Sequence, residues 1–307
     1  EETKMAFTAK DVQALREKTG CGMMDCKKAL TETGGDMDAA ADYLREKGLA
    51  SQAKKAGRIA AEGTVCAYTK DGVGVVVELN SETDFVANGE GFKALAQEVA
   101  EIIAEQNPAD VDALLKCEKD GMTVEAKVQE LFLAIRENIK IRRFARVEGK
   151  VVTYVHAGGK IGVMVNFDTE LDADNEGLVA MGKNIAMQVA AMNPSYLDEA
   201  SVPAEVLAKE KDILIAQMKE DPKMANKPEA VLGKIVEGKI GKYYKENCLV
   251  DQQYVIDGDL TVGKYVANTA KELGADIKIA SFVRFEKGEG IEKRVDDFAA
   301  EVAAMAK

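Results

Sequence analysis

The stretch GTVCAYTKDGVGVVVELN, residues 63–80, returns further along the chain as GKVVTYVHAGGKIGVMVNF, residues 149–167. In both copies apolar residues alternate with polar or small ones on either side of a glycine-containing turn, a pattern typical of a β-hairpin. Self-similarity of this kind indicates a duplicated structural unit. The sequence therefore predicts a core made of two related halves, each opened by a hairpin.

The similarity continues beyond the hairpins. An apolar helical pattern follows each one, starting at Gly91 in the first copy and at Gly177, 86 residues later, in the second. A further helix and strand start at Thr123 and return at Thr261, 138 residues later. Each repeat reads as hairpin, helix, helix and strand, which predicts an α+β fold: an antiparallel sheet with helices on one face.

The difference between the two spacings is an insertion of 52 residues in the second copy. Two amphipathic helical patterns fill it, and prolines bound the turn between them, so we expect a helical hairpin arm. Before the first copy, the sequence reads as three short helices, with Asp36 as an N-terminal cap and Gly48 as a C-terminal stop. The predicted order is a three-helix N-terminal module (5–50), a linker (51–62), a first core subdomain (63–148), a second core subdomain (149–286) with the arm at about 201–251, and a C-terminal helical module (287–307).

The composition limits the classes of function. The net charge is −12, which argues against broad contact with phosphate, so nucleic acid is not an expected direct partner. Five scattered cysteines favour a reduced compartment, and no signal peptide or membrane-spanning run is found, so we expect a cytoplasmic protein without a membrane partner. Residues 1–4, EETK, precede Met5 and are expected to be foreign to the native chain.

The residues of common catalytic and cofactor sites are scarce. His156 is the only histidine, the cysteines lack metal-ligand spacing, and the phosphate-binding pattern of P-loop proteins is absent. We therefore expect no metal, no cofactor and no nucleotide bound by the chain itself.

The stretch ELNSETDFVANGEGF, residues 78–92, carries an apolar pair, Phe85 and Val86, into a turn directly after Asp84. At the 86-residue spacing Phe85 lies over Leu171, so one interpretation is that Phe85 closes the end of the sheet. The alternative is an exposed anchor for a partner, because an aromatic side chain on a loop held by a rigid sheet is a common binding element. An acid–base pair or metal site made from the neighbouring carboxylates Glu78, Glu82 and Asp84 is the third interpretation, without support from their spacing.

Two segments resemble the signature sequences of the translation elongation factor Ts family: LREKTGCGMMDCKKAL, residues 15–30, and ELNSETDFVAN, residues 78–88. The resemblance covers essentially the whole chain. Within the family, the chain is most similar to the bacterial, full-length form with two repeats. It implies a ubiquitin-associated-like N-terminal module, two related α+β subdomains, a coiled-coil arm and a C-terminal module. It also implies guanine-nucleotide exchange on elongation factor Tu, without reaction chemistry of the chain's own.

The resemblance also implies which residues meet the partner. Residues 83–86, here called the wedge loop, would enter the GTPase near its magnesium site, with Thr83, Asp84, Phe85 and Val86 as contacts. In the N-terminal module the implied contacts are Arg16, Met23 and Met24, and in the second subdomain His156. The residues alone are also compatible with two other interpretations. The two methionines would be core residues, and His156 would be a solvated polar residue of a turn.

Two further functions remain open at this stage. One is a binding adaptor whose N-terminal module recognises another helical or ubiquitin-like protein. The other is an enzyme that uses the acidic residues of the stretch 78–92. The second signature and the duplicated core disfavour the adaptor, and the shortage of nucleophiles, histidines and metal spacing disfavours the enzyme.

Overall fold

The computed structural model describes residues 7–221 and 227–292. The suspected foreign residues 1–4 and most of the predicted C-terminal helical module lie outside that range. No helix within it combines the length and the apolar character needed to cross a membrane.

The N-terminal module and the first repeat contain the predicted helices and strands, together with two short helices and a two-stranded ribbon that were not predicted. Thr8 caps the first helix in a reciprocal arrangement with Asp11, and Asp36 caps the third by accepting hydrogen bonds from two backbone N–H groups. The elements are α1 (Ala9–Thr19), α2 (Met23–Glu32), α3 (Met37–Lys55), β1 (Glu62–Lys70), β2 (Val73–Ser81), α4 (Asp84–Ala87), α5 (Glu90–Gln106), α6 (Val111–Lys116), β3 (Glu118–Lys119), β4 (Met122–Thr123), α7 (Val124–Ile135) and β5 (Lys140–Glu148).

The second repeat reproduces this order around the arm. Its helices α8 and α11 start 86 and 138 residues after α5 and α7, so the duplication predicted from the sequence is confirmed. The elements are β6 (Lys150–His156), β7 (Ile161–Asp168), α8 (Glu176–Met192), α9 (Ala204–Glu220), α10 (Glu229–Asn247), α11 (Val262–Leu273) and β8 (Lys278–Glu286).

Each repeat contains one three-stranded antiparallel sheet, in the order β1-β2-β5 and β6-β7-β8. Alternate residues of β2 (Val75, Val77 and Leu79) face the helices and form the first core with Phe92 of α5. The second sheet forms an equivalent core with α8 and α11. The predicted α+β class, with helices on one face of each sheet, is confirmed.

The other face of each sheet packs against the other repeat. Val65 and Val76 of the first sheet meet Val151 and Met164 of the second in a separate buried cluster. Glycine makes this approach possible: a Cβ on Gly74 would lie 2.3 Å from a methyl of Val151. Reciprocally, a Cβ on Gly162 would lie 2.4 Å from a methyl of Val65, so the two repeats are joined by a pseudo-symmetric sheet-on-sheet contact.

Gly48 is not a helix stop, and that prediction is wrong. Helix α3 continues through it to Lys55. A Cβ on Gly48 would lie 1.9 Å from a methyl carbon of Leu133, which belongs to α7 and to the core of the N-terminal module. The glycine is therefore required by the close approach of two helices, and it docks the N-terminal module on the first repeat.

The arm is a pair of helices, α9 and α10, with its own apolar contacts. Leu214, Met218, Val236 and Ile240 form a cluster separate from the second core. Beyond α10, by contrast, Leu249 is fully buried in the second core. The predicted helical hairpin is confirmed, whereas the division of the chain at the residue boundaries given above stays a prediction.

Candidate protein-contact site

The wedge loop follows the end of β2 and is shaped by a single helical turn, α4. Thr83 has an extended backbone and is the N-cap of this turn, since its hydroxyl oxygen accepts a hydrogen bond from the Val86 N–H at 3.3 Å. Ser81 donates its hydroxyl to the Thr83 carbonyl at 2.9 Å. Backbone capping thus fixes the direction in which the next two side chains point.

Phe85 projects into solvent, and its exposed fraction is 86%. An aromatic ring that closed the sheet would be buried, so the packing interpretation of Phe85 is wrong. Its sequence counterpart Leu171 is half-buried against the second core, in a segment without an equivalent helical turn. The two turns therefore differ in structure although they align by residue count.

Val86 does not project beside Phe85, and that expectation is wrong. Its exposed fraction is 6%, and it packs with Ala87 in the first core. The physical reason is the helical turn, because successive residues of a helix point in different directions around its axis. Val86 anchors the loop to the sheet, and Phe85 alone is presented.

Asp84 is exposed, and its carboxylate has no hydrogen bond or ion pair to any residue that the structure describes. Its backbone is well held, since the Asp84 carbonyl accepts hydrogen bonds from both the N–H and the side-chain amide of Asn88 at 2.9 Å. A fixed backbone with a free carboxylate beside an exposed ring gives a negative charge available to an external group.

Two carboxylates clamp the wedge loop to the segment that precedes β5. The Glu137 carboxylate accepts hydrogen bonds from the Thr83 N–H at 3.0 Å and from the Thr83 hydroxyl at 2.8 Å. In the opposite direction, Glu82 accepts from the Asn138 N–H at 2.7 Å and pairs with Arg58 at 3.3 Å. The contacts of Thr83 with Glu137 and of Glu82 with Asn138 join residues that are 54 and 56 positions apart, so no spacing pattern in the sequence indicated them.

The neighbouring carboxylates Glu78, Glu82 and Asp84 do not form one site. Glu78 is fully buried and pairs with Arg142 at 3.0 Å and Arg143 at 2.7 Å, and it also accepts from the Gly288 N–H at 2.7 Å. Burial alone would raise the pKa of Glu78, but these hydrogen bonds outweigh it and hold the pKa below its ordinary value. Glu78 thus pairs with two arginines of β5 in its own sheet and accepts from a backbone N–H that follows β8, Glu82 clamps a loop, and of these three carboxylates Asp84 alone makes no contact that the structure describes.

The N-terminal module presents Met23 and Met24 as the first residues of α2. Their exposed fractions are 51% and 76%, so the interpretation of these methionines as core residues is wrong. Arg16 of α1 is also exposed. The core beneath is supplied by other residues of these two helices and of the turn between them: Val12, Leu15, Cys21, Cys26, Ala29 and Leu30.

His156 lies at the end of β6, beside the turn of the second hairpin, and is exposed. The Tyr154 hydroxyl is 2.9 Å from the Nδ1 atom of His156, which fixes the orientation of the imidazole. Its turn is held against the first sheet, because the Val65 N–H donates to the Gly159 carbonyl at 2.8 Å. Within the described residues, no hydrogen bond or ion pair joins His156 to the wedge loop.

The described residues contain no group of three or more histidine, cysteine, aspartate or glutamate side chains placed to hold a metal ion. The cysteines are unpaired thiols, and burial raises the pKa of the Cys66 and Cys248 thiols to about 11. These two thiols are protonated at neutral pH, which makes them poor nucleophiles.

The chain thus combines two matched α+β repeats, a three-helix N-terminal module, a helical arm and a clamped loop that presents one exposed aromatic ring, an arrangement suited to contact with another protein. A family model described as elongation factor TS matches residues 82–289, more than half of the chain. Elongation factor Ts of Clostridium perfringens (strain SM101 / Type A) is 50% identical over 305 residues, which span 97% of this chain and 99% of that protein. Elongation factor Ts of Syntrophotalea carbinolica is 47% identical over 308 residues, 99% of this chain and 100% of that protein. The chain belongs to the elongation factor Ts family.

Family membership carries the function with it: guanine-nucleotide exchange on elongation factor Tu during translation elongation. The alternative of an adaptor for another helical or ubiquitin-like partner is not favoured.

Proposed function

We propose that the chain releases GDP from elongation factor Tu by inserting the wedge loop beside the magnesium and phosphate site of that GTPase. The observation that carries the proposal is Phe85, an aromatic side chain that is 86% exposed on a loop whose backbone is held by hydrogen bonds. A rigid apolar group separates packed elements of a partner at a smaller entropic cost than a mobile one. The Phe85 ring is therefore the group that separates packed elements of the partner, and the wedge loop holds the ring in position.

Asp84 supplies the electrostatic part of the proposal. Its free carboxylate stands directly before Phe85 and enters the partner with it. A negative charge brought close to a bound magnesium ion competes with the ligands of that ion, and it repels the phosphates that the ion neutralises. Ring and carboxylate together weaken nucleotide binding by two separate physical routes.

The remaining contacts hold the two proteins together. Met23 and Met24 offer a deformable apolar surface, and Arg16 adds a charged group on the same module. His156, oriented by Tyr154, is a second contact on the other repeat. Val86 and Thr83 act from within the loop, the first as its core anchor and the second as its cap.

Exchange of this kind is a linkage between two ligands of the GTPase. If the exchange factor raises the dissociation constant of GDP a given number of times, bound GDP raises the dissociation constant of the exchange factor the same number of times. The chain lowers the barrier to nucleotide release and leaves the overall equilibrium between nucleotides unchanged. It therefore needs no reaction chemistry and no cofactor of its own, and the nucleotide is bound only by the partner.

The setting of the proposal follows from charge and composition. A net charge of −12 disfavours direct contacts with nucleic acid, and the scattered cysteines fit a reduced compartment, so the proposed setting is the cytoplasm without a membrane partner. We also propose that the domain boundaries given in the sequence analysis separate the N-terminal grip, the two core subdomains and the arm.

The test is the release of fluorescent GDP from elongation factor Tu, followed in a stopped-flow instrument with and without this protein. We expect the release rate to rise with the concentration of the protein and to saturate. A rate that is independent of the added protein, with a complex nonetheless detected by light scattering, would remove the exchange function and leave only binding.

A further inference from the structure

We infer that the tripeptide Arg136–Glu137–Asn138, here called the strut, couples the N-terminal contact surface to the wedge loop, with Glu137 as the positioning residue. The inference rests on the proposed function, since it concerns how Phe85 is held while the partner is bound. The strut joins α7 to β5, and each of its three residues contacts a different part of the molecule.

Glu137 holds the wedge loop at its cap. Both of its carboxylate oxygens are engaged by Thr83, one by the N–H and the other by the hydroxyl. Because the Thr83 hydroxyl hydrogen is directed to Glu137, the oxygen is left facing the Val86 N–H, which it caps. A charged acceptor makes this contact stronger than a neutral one. Without it, the hydroxyl is free to rotate, and the turn that presents Phe85 loses its fixed start.

Arg136 ties the same strut to the N-terminal module. Its guanidinium pairs with Asp25 at 2.9 Å, and Asp25 directly follows Met24 in α2. Its carbonyl accepts a hydrogen bond from Lys55 at the end of α3. Arg136 also has a φ of 65°, a left-handed conformation that is unusual outside glycine and that persists where neighbouring contacts enforce it.

Asn138 completes the strut. Its exposed fraction is 3%, its N–H donates to Glu82, and its side-chain amide donates to the Arg58 carbonyl at 2.8 Å. The contacts of Glu137 and Glu82 thus cross each other between the strut and the wedge loop. Such a crossed pair resists both sliding and rotation of one segment against the other.

Together these contacts form a short continuous path through the structure. It runs from Met24 and Asp25 through Arg136 and Glu137 to the cap of the turn that carries Phe85. A partner seated on the methionines therefore contacts a surface that one ion pair and a set of hydrogen bonds connect to the cap of the turn that carries Phe85. The N-terminal contact surface and the wedge loop are therefore connected through the strut, whereas no hydrogen bond or ion pair among the described residues joins His156 to either of them.

The test is a double-mutant cycle between Glu137→Ala and Phe85→Ala, read as the saturated rate of GDP release from elongation factor Tu. We expect Glu137→Ala alone to slow release by about tenfold, the order expected when one helix-cap contact is lost. In the Phe85→Ala background the same change is expected to slow release by less than twofold, because Glu137 acts only through the ring. Glu137→Gln keeps one acceptor for the Thr83 N–H and is expected to fall between Glu137→Ala and the parent protein.

The matched control is Glu101→Ala, which removes a glutamate of the same repeat that pairs with Lys119 at 2.9 Å, away from the wedge loop. It is expected to leave the release rate unchanged. If Glu137→Ala does not fold, as judged by circular dichroism, Thr83→Ala removes the hydroxyl half of the same contact and takes its place in the cycle.

Two outcomes overturn different statements. Slowing by Glu137→Ala that is equally large with and without Phe85 means that Glu137 acts by another route, and the strut inference fails while the wedge stands. A Phe85→Ala protein that releases GDP at the parent rate defeats the proposed role of the ring itself, whatever Glu137→Ala does.

Discussion

We expect the truncation Phe85→Ala to slow nucleotide exchange more than it weakens binding to the partner. The exposure of the ring in the free protein sets the size of the effect. Complete burial of a phenylalanine side chain is worth about 1.5–3 kcal/mol. Since 86% of Phe85 is exposed in the free protein, nearly all of that energy, roughly 1.3–2.6 kcal/mol, becomes available only inside the partner. The free protein, which buries only the remaining fraction of the ring, is expected to lose no more than about 0.4 kcal/mol of stability.

The assay compares two quantities for the Phe85→Ala protein. The first is the rate of fluorescent GDP release from elongation factor Tu at saturating exchange factor. The second is the dissociation constant for GDP-bound elongation factor Tu, in which the ring is not yet inserted. If the ring acts in displacing nucleotide, release slows by roughly 10- to 80-fold, the rate equivalent of 1.3–2.6 kcal/mol. The dissociation constant changes less, because Arg16, Met23, Met24 and His156 remain in place.

Two control variants make the result decisive. Leu171→Ala truncates the aligned residue of the second repeat, which is half-buried, so it is expected to lower stability and leave exchange nearly intact. Ile256→Ala truncates an apolar residue that is 60% exposed elsewhere on the second repeat, and it is expected to change neither quantity. If exchange falls for Phe85→Ala only in proportion to lost stability, as for Leu171→Ala, the reasoning about an exposed wedge is refuted.

Three further predictions concern the grip, the buried ion pair and the arm. Arg16→Ala and Met24→Ala are each expected to weaken the complex by about 1–2 kcal/mol in a binding titration, while the thermal midpoint of the free protein stays almost unchanged. A large loss of stability with intact binding would instead show that these two residues have a structural role. The lowered pKa of Glu78 means that its ionised form stabilises the fold above the ordinary value of 4.5, and this contribution is lost as the pH falls through the folded-state pKa. The free energies of urea unfolding of Glu78→Gln and the parent protein are therefore expected to differ at pH 7 and to converge as the pH falls through the lowered pKa of Glu78. A difference that is constant with pH would contradict the assignment. Replacing residues 204–247 with a short Gly/Ser link is expected to preserve cooperative unfolding, because the apolar cluster of the arm is separate from the second core, and loss of cooperativity would show that the arm is part of the fold.

The elements of the fold were predictable because their signals are local. Hairpin alternation, helix caps such as Thr8 and Asp36, and the two constant spacings lie in the sequence itself. The stacking of the two sheets was not predicted, since it depends on which face of β2 meets which face of β7. Gly74 and Gly162 mark this contact, but a glycine in a strand is equally compatible with a bulge or a bend. The same ambiguity made Gly48 read as a stop.

The candidate site was predictable in part. The resemblance indicated Phe85 and Asp84, and both are exposed. It also grouped Val86 with them, although the helical turn directs that side chain inward. Glu137 was missed because its contact with Thr83 joins residues 54 positions apart, and an isolated glutamate in a chain with 53 acidic residues gives no local signal.

The duplication also explains why only one repeat carries a projecting ring. The strand bulges lie between Glu78 and Leu79 in the first repeat and between Asn166 and Phe167 in the second, 88 residues apart, although the helices that follow start 86 residues apart. The first hairpin is therefore two residues shorter at its turn, and the loop after its second strand is two residues longer. The two differences cancel, so the starts of the hairpins and the starts of the following helices are both 86 residues apart. An alignment by residue count therefore does not show either difference. The longer loop of the first repeat forms the turn capped by Thr83, whereas the shorter loop of the second has no room for it and keeps its leucine against the core. The wedge is thus a local addition to a shared frame, which is why its removal is expected to affect exchange while the frame remains folded.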